Sequence, residues 1–202
     1  RTPLPQQQQP RRVLVVDGGS DDATREIAVP LCDRVIEGPR GRARQMNAGA
    51  ANARGETLWF LHADTRVPPG ATAVIEQVVA SGREWGRFDV RLSGRRPSLR
   101  IVERMMNLRS TQSGIVTGDQ GLFVTRAAFD AVGGYPDIPL MEDIALSRRL
   151  RQRQRPTRIG MCLVTSSRRW EQDGVWSTIL LMWRLRTAYA LGADPARLAR
   201  LY

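Results

Sequence analysis

Three acidic positions in this chain stand where chemistry is commonly done. Val13-Leu14-Val15-Val16 is an unbroken apolar run that ends in Asp17-Gly18-Gly19-Ser20, and Thr57-Leu58-Trp59-Phe60-Leu61 is a second that ends in His62-Ala63-Asp64. Short continuous apolar runs read as strands buried on both faces, and such strands belong to parallel sheets covered by helices. Ligands of open α/β sheets bind beyond the carboxyl ends of strands, so Asp64 is a candidate for work on a small molecule; it is equally suited to starting a turn. Glu142-Asp143 opens a helical stretch, where acids complement the helix dipole and a purely structural role is available. Arg42, Arg44, Gln45 and Asn47 lie near the start of an Ala-rich segment, Arg42 to Arg54. That placement suits either an anion at a helix N-terminus or a solvated basic face.

The elements that must position these residues alternate in type. Gly18-Gly19 allows a tight turn, and Ser20 or Asp22 can cap a helix through Arg25 to Ala28; Arg34 to Glu37 follows as a strand. After the Asp64 run comes Pro68-Pro69-Gly70, then an amphipathic helix from Ala71 to Ser81 with Val74, Ile75, Val78 and Val79 at helical spacing. Trp85 to Leu92 reads as a strand, Leu99 to Arg109 as a helix, Gly121 to Thr125 as a buried strand and Met141 to Leu150 as a helix. Ile159 to Val164 is the last strand and Val175 to Leu191 the last helix. Strands alternating with helices predict an α/β sheet, mostly parallel in its first half. Residues 1–10, with four glutamines between prolines, bury too little to offset ordering and read as a disordered tail; 11–202 reads as one domain.

A formal net charge of +11, carried by 31 basic residues that are all arginine, predicts attraction to anions: nucleic acid, acidic lipid or phosphorylated small molecules. The arginines are scattered and no recognition motif accompanies them, which argues against sequence-specific nucleic-acid binding. Cys32 and Cys162 match no metal-ligand spacing and fit a reducing compartment. No apolar run approaches the roughly 20 residues of a membrane span, so a soluble or surface-bound protein is expected.

Taken in order, Asp17-Gly18-Gly19-Ser20 with Asp22 and Thr24, then His62-Ala63-Asp64, then Glu142-Asp143 resemble the signatures of family 2 glycosyltransferases from about Arg12 to Tyr202. The fuller runs Leu61-His62-Ala63-Asp64-Thr65, Gly118-Asp119-Gln120, Gly133-Gly134-Tyr135-Pro136 and Pro139-Leu140-Met141-Glu142-Asp143 are similar to a bacterial branch, the selenodomain-associated transferases. The resemblance implies the GT-A fold, a mixed and mostly parallel sheet flanked by helices. It also implies an inverting glycosyltransferase that moves a single sugar from a nucleotide-diphosphate donor, UDP-linked by preference, to an acceptor hydroxyl of unspecified identity.

On the same resemblance Asp143 is the catalytic base, and Glu142, Asp119, Gln120 and Trp170 lie on the acceptor side. Asp17, Gly18, Arg44, Asn47 and Arg169 bind the nucleotide sugar, and Asp64 with His62 holds the metal. His62 stands where the family's first motif acid would be. Few protein ligands plus the donor's phosphates suit Mg2+ or Mn2+. The family's usual first strand, with its Pro- and Asn-containing loop, has no counterpart here, where the Gln-rich tail stands instead. The expected setting is the cytoplasm, with peripheral contact at the inner membrane face. The rival reading is a non-catalytic module docking on acidic lipid or another anion, its last helix (175–191) lying on the membrane surface through bulky apolar residues beside Arg184 and Arg186.

Overall fold

The computed structural model describes residues 11–202, so the tail expected over residues 1–10 lies outside the described residues. The strands are β1 Leu14–Asp17, β2 Arg34–Glu37, β3 Thr57–Trp59, β4 Trp85–Leu92, β5 Phe123–Thr125 and β6 Thr157–Thr165. Between and after them run α1 Thr24–Ala28, α2 Arg42–Asn52, α3 Ala71–Ala80, α4 Pro97–Ser113, α5 Arg126–Ala131, α6 Glu142–Arg153, α7 Arg168–Gln172, α8 Val175–Ala190 and α9 Pro195–Ala199. β1 and β2 pair in parallel as a two-stranded sheet, and the other four strands form a second sheet in the order β3-β5-β4-β6. β5 is antiparallel to both neighbours, while the longest ladder, β4 with β6, is parallel. The fold is therefore a mixed α/β sheet whose paired residues are mostly parallel, with helices on its faces.

Alternation along the strands divides the core in two. Leu58 and Val124 face a cluster that α2, α5 and α6 complete with Ala43, Phe129, Leu146 and Leu150. Their chain neighbours Trp59 and Phe123 face the opposite cluster, closed by Ala71 and Ile75 of α3 with Phe88 and Leu163. Two smaller clusters attach the C-terminal helices: Leu185 of α8 and Leu198 of α9 pack on Met141 and Ile144, and Val175 of α8 packs on Leu99 and Val102 of α4. Arg87 of β4 is buried and ties the sheet to α4, donating to Asp89 at 2.6 Å, to the Asn107 carbonyl and to the Thr111 hydroxyl.

Two strands depart from expectation. β1, expected to be buried on both faces, keeps Leu14, Val15 and Val16 only half-buried, and the second departure is β3. The apolar run before His62 leaves the sheet at Trp59, and its partner among the described residues, β5, runs antiparallel. Only Leu58 is buried, between half-buried Thr57 and Trp59, which is the one-faced pattern of an antiparallel pairing. Phe60 is spent instead as an aromatic contact, its ring 5.1 Å from Tyr135 and 5.4 Å from Phe129. His62 to Asp64 therefore sit on a loop, in a turn closed by the Thr65 N–H bonding the His62 carbonyl.

Candidate active site

Glu142 and Asp143 are placed by an unusual start to α6. Met141, the residue before the helix, has φ of 70°, the one non-glycine left-handed residue among those described. Such backbone costs energy and persists only where packing over-determines it; here Met141 is buried beside Leu140 and Ile144 against α8 and α9. The turn presents both acids together. Asp143 accepts the Gly118 N–H at 3.0 Å and the Ile144 N–H at 2.7 Å. Burial raises the Asp143 carboxyl above the ordinary range, opposed by those two donors and by Arg42, with nearby Asp119 pushing it further up. Glu142 is buried and raised as well, first by burial and then by the charge of Asp143.

The 3-10 turn Gly118–Gln120 brings the next group. Asp119 pairs with His62, Nδ1 to carboxylate oxygen 3.3 Å. Burial would raise the Asp119 carboxyl, but hydrogen bonding and charge from His62, with Arg42 and Arg109, hold it below the ordinary range. The bond from Asp119 raises His62, burial opposes this, and the charges of Asp119 and Asp64 add to the rise. The His62 ring rests on the bare backbone of Gly118, where a Cβ would come within 2.4 Å of Nε2. We expect Gly118→Ala to expel the ring, costing about 1–3 kcal/mol of stability and breaking the His62–Asp119 pair, as read by urea unfolding and by the histidine titration in NMR; an unchanged histidine pKa would refute this packing.

Two arginines complete the cluster. Arg42, first residue of α2, lies among Tyr202, Glu142 and Asp119; burial lowers its affinity for the proton, and those three neighbours more than restore it. Arg109 of α4 is lowered by burial, offset by the charges of Asp143 and Asp119, and its Nε is buried without a hydrogen-bond partner. Arg42 is among the residues that the sequence offers as an anion site, whereas Arg109 does not stand out: it is one of six arginines between Arg91 and Ser113, and only the fold turns it inward. Beneath the acids Tyr135 is buried, its phenol held well above the ordinary range by burial and by the charges of Asp143 and Glu142.

The other sequence candidates fall in several places. Asp64 is exposed, close enough to His62 to raise it, and has no hydrogen-bond or ion-pair partner among the described residues. Asp17 ends β1 with its carboxylate turned into the local turn, accepting the Ser20 hydroxyl at 2.5 Å and the Ser20 N–H at 3.2 Å; the hydroxyl bond chiefly lowers it. Gly18 lies against Gln45, whose side chain donates to the Val16 carbonyl. Gln45 is one helical turn from Arg42, so α2 links the Asp17 turn to the acidic cluster without bringing Asp17 into it.

Arg44 binds Asp137 at 2.7 Å, and both ends of the Asn47 amide are engaged by the Tyr135 backbone. Gln120 is fully buried and turned toward α4, accepting from Ser110. Trp170 packs in the small cluster between α4 and α8. Arg169 stacks on the Tyr202 ring, 3.7 Å to its centroid, and donates to the Tyr202 carbonyl; Tyr202 also adjoins Arg42.

Among the described residues no group of three or more His, Cys, Asp or Glu side chains is placed to hold a metal. One exposed carboxylate near His62, Asp64, fits a metal that brings most of its ligands with a bound phosphate. The set does not fit an all-protein cage. His62 is less suited, because its Nδ1 faces Asp119 and its raised pKa favours the protonated, non-ligating form.

What the arrangement offers chemically is a raised, hydrogen-bonded carboxyl next to a second acid, with two arginines at the same place.

The family described as Glycosyl transferase family 2 matches residues 4–125, which include Asp17, His62, Asp64 and Asp119 but stop short of Glu142 and Asp143. The beta-monoglucosyldiacylglycerol synthase of Synechocystis sp. is 25% identical over 201 residues, covering 89% of this chain and 40% of that protein. Glucosyl-3-phosphoglycerate synthase from Mycobacterium tuberculosis, in complex with Mn2+, uridine-diphosphate and glucosyl-3-phosphoglycerate, superposes with a TM-score of 0.60 at 16% identity, over 83% of this chain and 65% of that one. A mannosyltransferase from Pyrobaculum calidifontis in complex with GDP-Man and Mn2+ gives 0.57 at 20% identity, over 94% and 58%. The chain thus spans about two fifths of the curated relative and less than two thirds of these structures, with which it shares the GT-A fold.

Proposed function

The chain belongs to glycosyl transferase family 2, and from that premise we propose that it moves a single sugar from a nucleotide-diphosphate donor to an acceptor hydroxyl, with inversion at the anomeric carbon. The observation that carries this reading is Asp143, a half-buried carboxyl held above its ordinary pKa and fixed by the Gly118 N–H, with Glu142 beside it. A base must be positioned first and tuned second, and Asp143 meets both conditions.

In the reaction Asp143 takes the proton of the acceptor hydroxyl as that oxygen attacks the anomeric carbon. The bond from that carbon to the diphosphate oxygen breaks on the opposite face, and the electron pair leaves with the diphosphate. Glu142 and Asp119 line the acceptor side, and Arg42 and Arg169, joined by Tyr202, offer positive charge to the leaving group. Arg109 sets the charge around Asp143 from below. A divalent ion, Mg2+ or Mn2+, carried in with the donor would neutralise the leaving diphosphate as a Lewis acid, with Asp64 as the chain's ligand. Asn47 and Gln120 act through position, the first by holding the Tyr135 loop and the second by anchoring the 3-10 turn to α4.

A UDP-linked donor is the first choice, matching the uridine-diphosphate in the mycobacterial synthase complex. The motif runs around Asp119 and Glu142 support a tie to the selenodomain-associated branch, which they resemble. A nucleotide-sugar donor favours a cytoplasmic setting for the reaction; among the described residues no helix is long and apolar enough to cross a membrane. The test is release of nucleoside diphosphate from a panel of UDP- and GDP-sugars with Mn2+ and mixed hydroxyl acceptors. Metal-dependent turnover of one donor is the expected result. A folded protein that binds UDP with Mn2+ yet consumes no donor would favour the rival reading of a non-catalytic anion-binding module.

A further inference from the structure

Among the described residues, α8 and α4 each carry an exposed apolar stripe. Trp176, Leu180 and Trp183 recur at i, i+4 and i+7 on one side of α8, with Leu191 just beyond its end; Trp176 is 69% and Trp183 59% exposed. The opposite side of the same helix is already spent on the core through Thr178, Leu181 and Leu185. On α4, Ile101, Met105 and Leu108 repeat the same spacing and are exposed too. The two helices pack together through Leu99, Val102, Val175 and Ile179, so their outer stripes lie on adjoining helices. Nothing in the core needs these seven side chains.

The frame around them is basic. Between Arg91 and Ser113 six arginines stand against one acid, Glu103, which is buried and bonded to the Leu92 N–H. α8 has no acid, with Arg184 and Arg186 on either flank of its stripe. At the start of α4, one residue before Ile101, Arg91, Arg95 and Arg100 line a cavity of about 440 Å3. Among the described residues neither Arg91 nor Arg95 has a carboxylate within ion-pair distance.

We infer that α4 and α8 form a membrane-docking face that takes an anionic lipid surface, with the tryptophans and leucines in the headgroup–acyl boundary and phosphate groups on the Arg91, Arg95 and Arg100 cavity. Tryptophan is suited to that boundary, and arginines beside an apolar helix face draw it to acidic lipid. Charge selects this occupant over a second copy, since pairing two such faces would set two arginine frames of the same sign against each other. The inference stands apart from the sugar-transfer reading, because docking needs no donor, metal or base.

The test is sedimentation with sucrose-loaded vesicles of phosphatidylcholine, alone or with about 30% phosphatidylglycerol, at roughly 0.1 M salt. Binding is expected on the anionic vesicles only. It should weaken about tenfold or more in Trp176→Ser/Trp183→Ser and should fall in Arg95→Gln/Arg184→Gln and at higher salt. All four positions are at the surface, and an unchanged melting temperature checks that the fold is kept. Wild-type protein that ignores anionic vesicles, or a tryptophan variant that binds as well as wild type, overturns the inference. A dimer in light scattering that the tryptophan variant dissolves, without vesicle binding by the wild type, assigns the face to a second copy instead.

Discussion

Asp143→Asn is expected to slow sugar transfer by about 10²- to 10⁴-fold, the usual share of a positioned base, while leaving the protein at least as stable as wild type near neutral pH. The side chains are nearly isosteric, and the amide oxygen can still accept the Gly118 N–H that Asp143 accepts at 3.0 Å. What is lost is the ability to take a proton, together with the second acceptor, which in the aspartate receives the adjacent Ile144 N–H. What is gained follows from linkage: Asp143 is raised in the folded state, chiefly by burial, so its contribution to stability is full below the unfolded carboxyl pKa and is lost as pH rises through the folded one. At neutral pH the native carboxylate is therefore a burden that the amide removes. Wild-type kcat should fall as pH drops through the raised pKa, at a higher pH than an ordinary aspartate would give. The measurements are turnover from about pH 4 to 8 and thermal melting of both proteins. Equal turnover would remove Asp143 from its role, and a marked drop in melting temperature would mean that the charged form is structural.

Asp64→Ala should weaken Mn2+-dependent binding of UDP by about 100-fold and cost little stability, because an exposed carboxylate without a partner among the described residues contributes little to folding. His62→Ala separates the two roles at this site. If His62 works by pairing with Asp119, as its Nδ1 distance of 3.3 Å implies, its loss should destabilise the fold while metal-linked nucleotide binding changes much less. That stabilisation belongs to the protonated histidine: with the folded pKa raised, it is fully present below the unfolded histidine pKa and lost as pH rises through the folded value. Calorimetry of Mn2+ with UDP and unfolding curves at two pH values read both effects. Unchanged UDP affinity in Asp64→Ala would reassign the metal ligand, and a greater loss in His62→Ala would restore the imidazole to the coordination sphere.

What could be read without coordinates was whatever depends on near neighbours in the chain. The apolar runs at Val13 and Gly121, the 3.6-residue period at Val74 to Val79 and the acids opening α6 are local patterns, and a strand or helix answers to them directly. The α/β class follows from their alternation, and the motif order suggested the family that the match over residues 4–125 shows.

Which way a side chain turns, and what it meets there, was decided only by tertiary packing. Asp119 and Gln120 are adjacent, yet the 3-10 turn sends one to His62 and the other to Ser110, because successive residues there point about 120° apart. Asn47 finds the Tyr135 backbone 88 residues away, Arg109 meets Asp143 across the fold, and the run before His62 becomes a half-buried antiparallel strand because its partner β5 lies about 65 residues on. Sequence determined the elements and the stock of acids and arginines, since those rest on short-range backbone preference and composition. The site itself waited on long-range packing, which raises Asp143 by burial and by the charge of Asp119, turns Arg109 inward and leaves the tryptophans of α8 facing out.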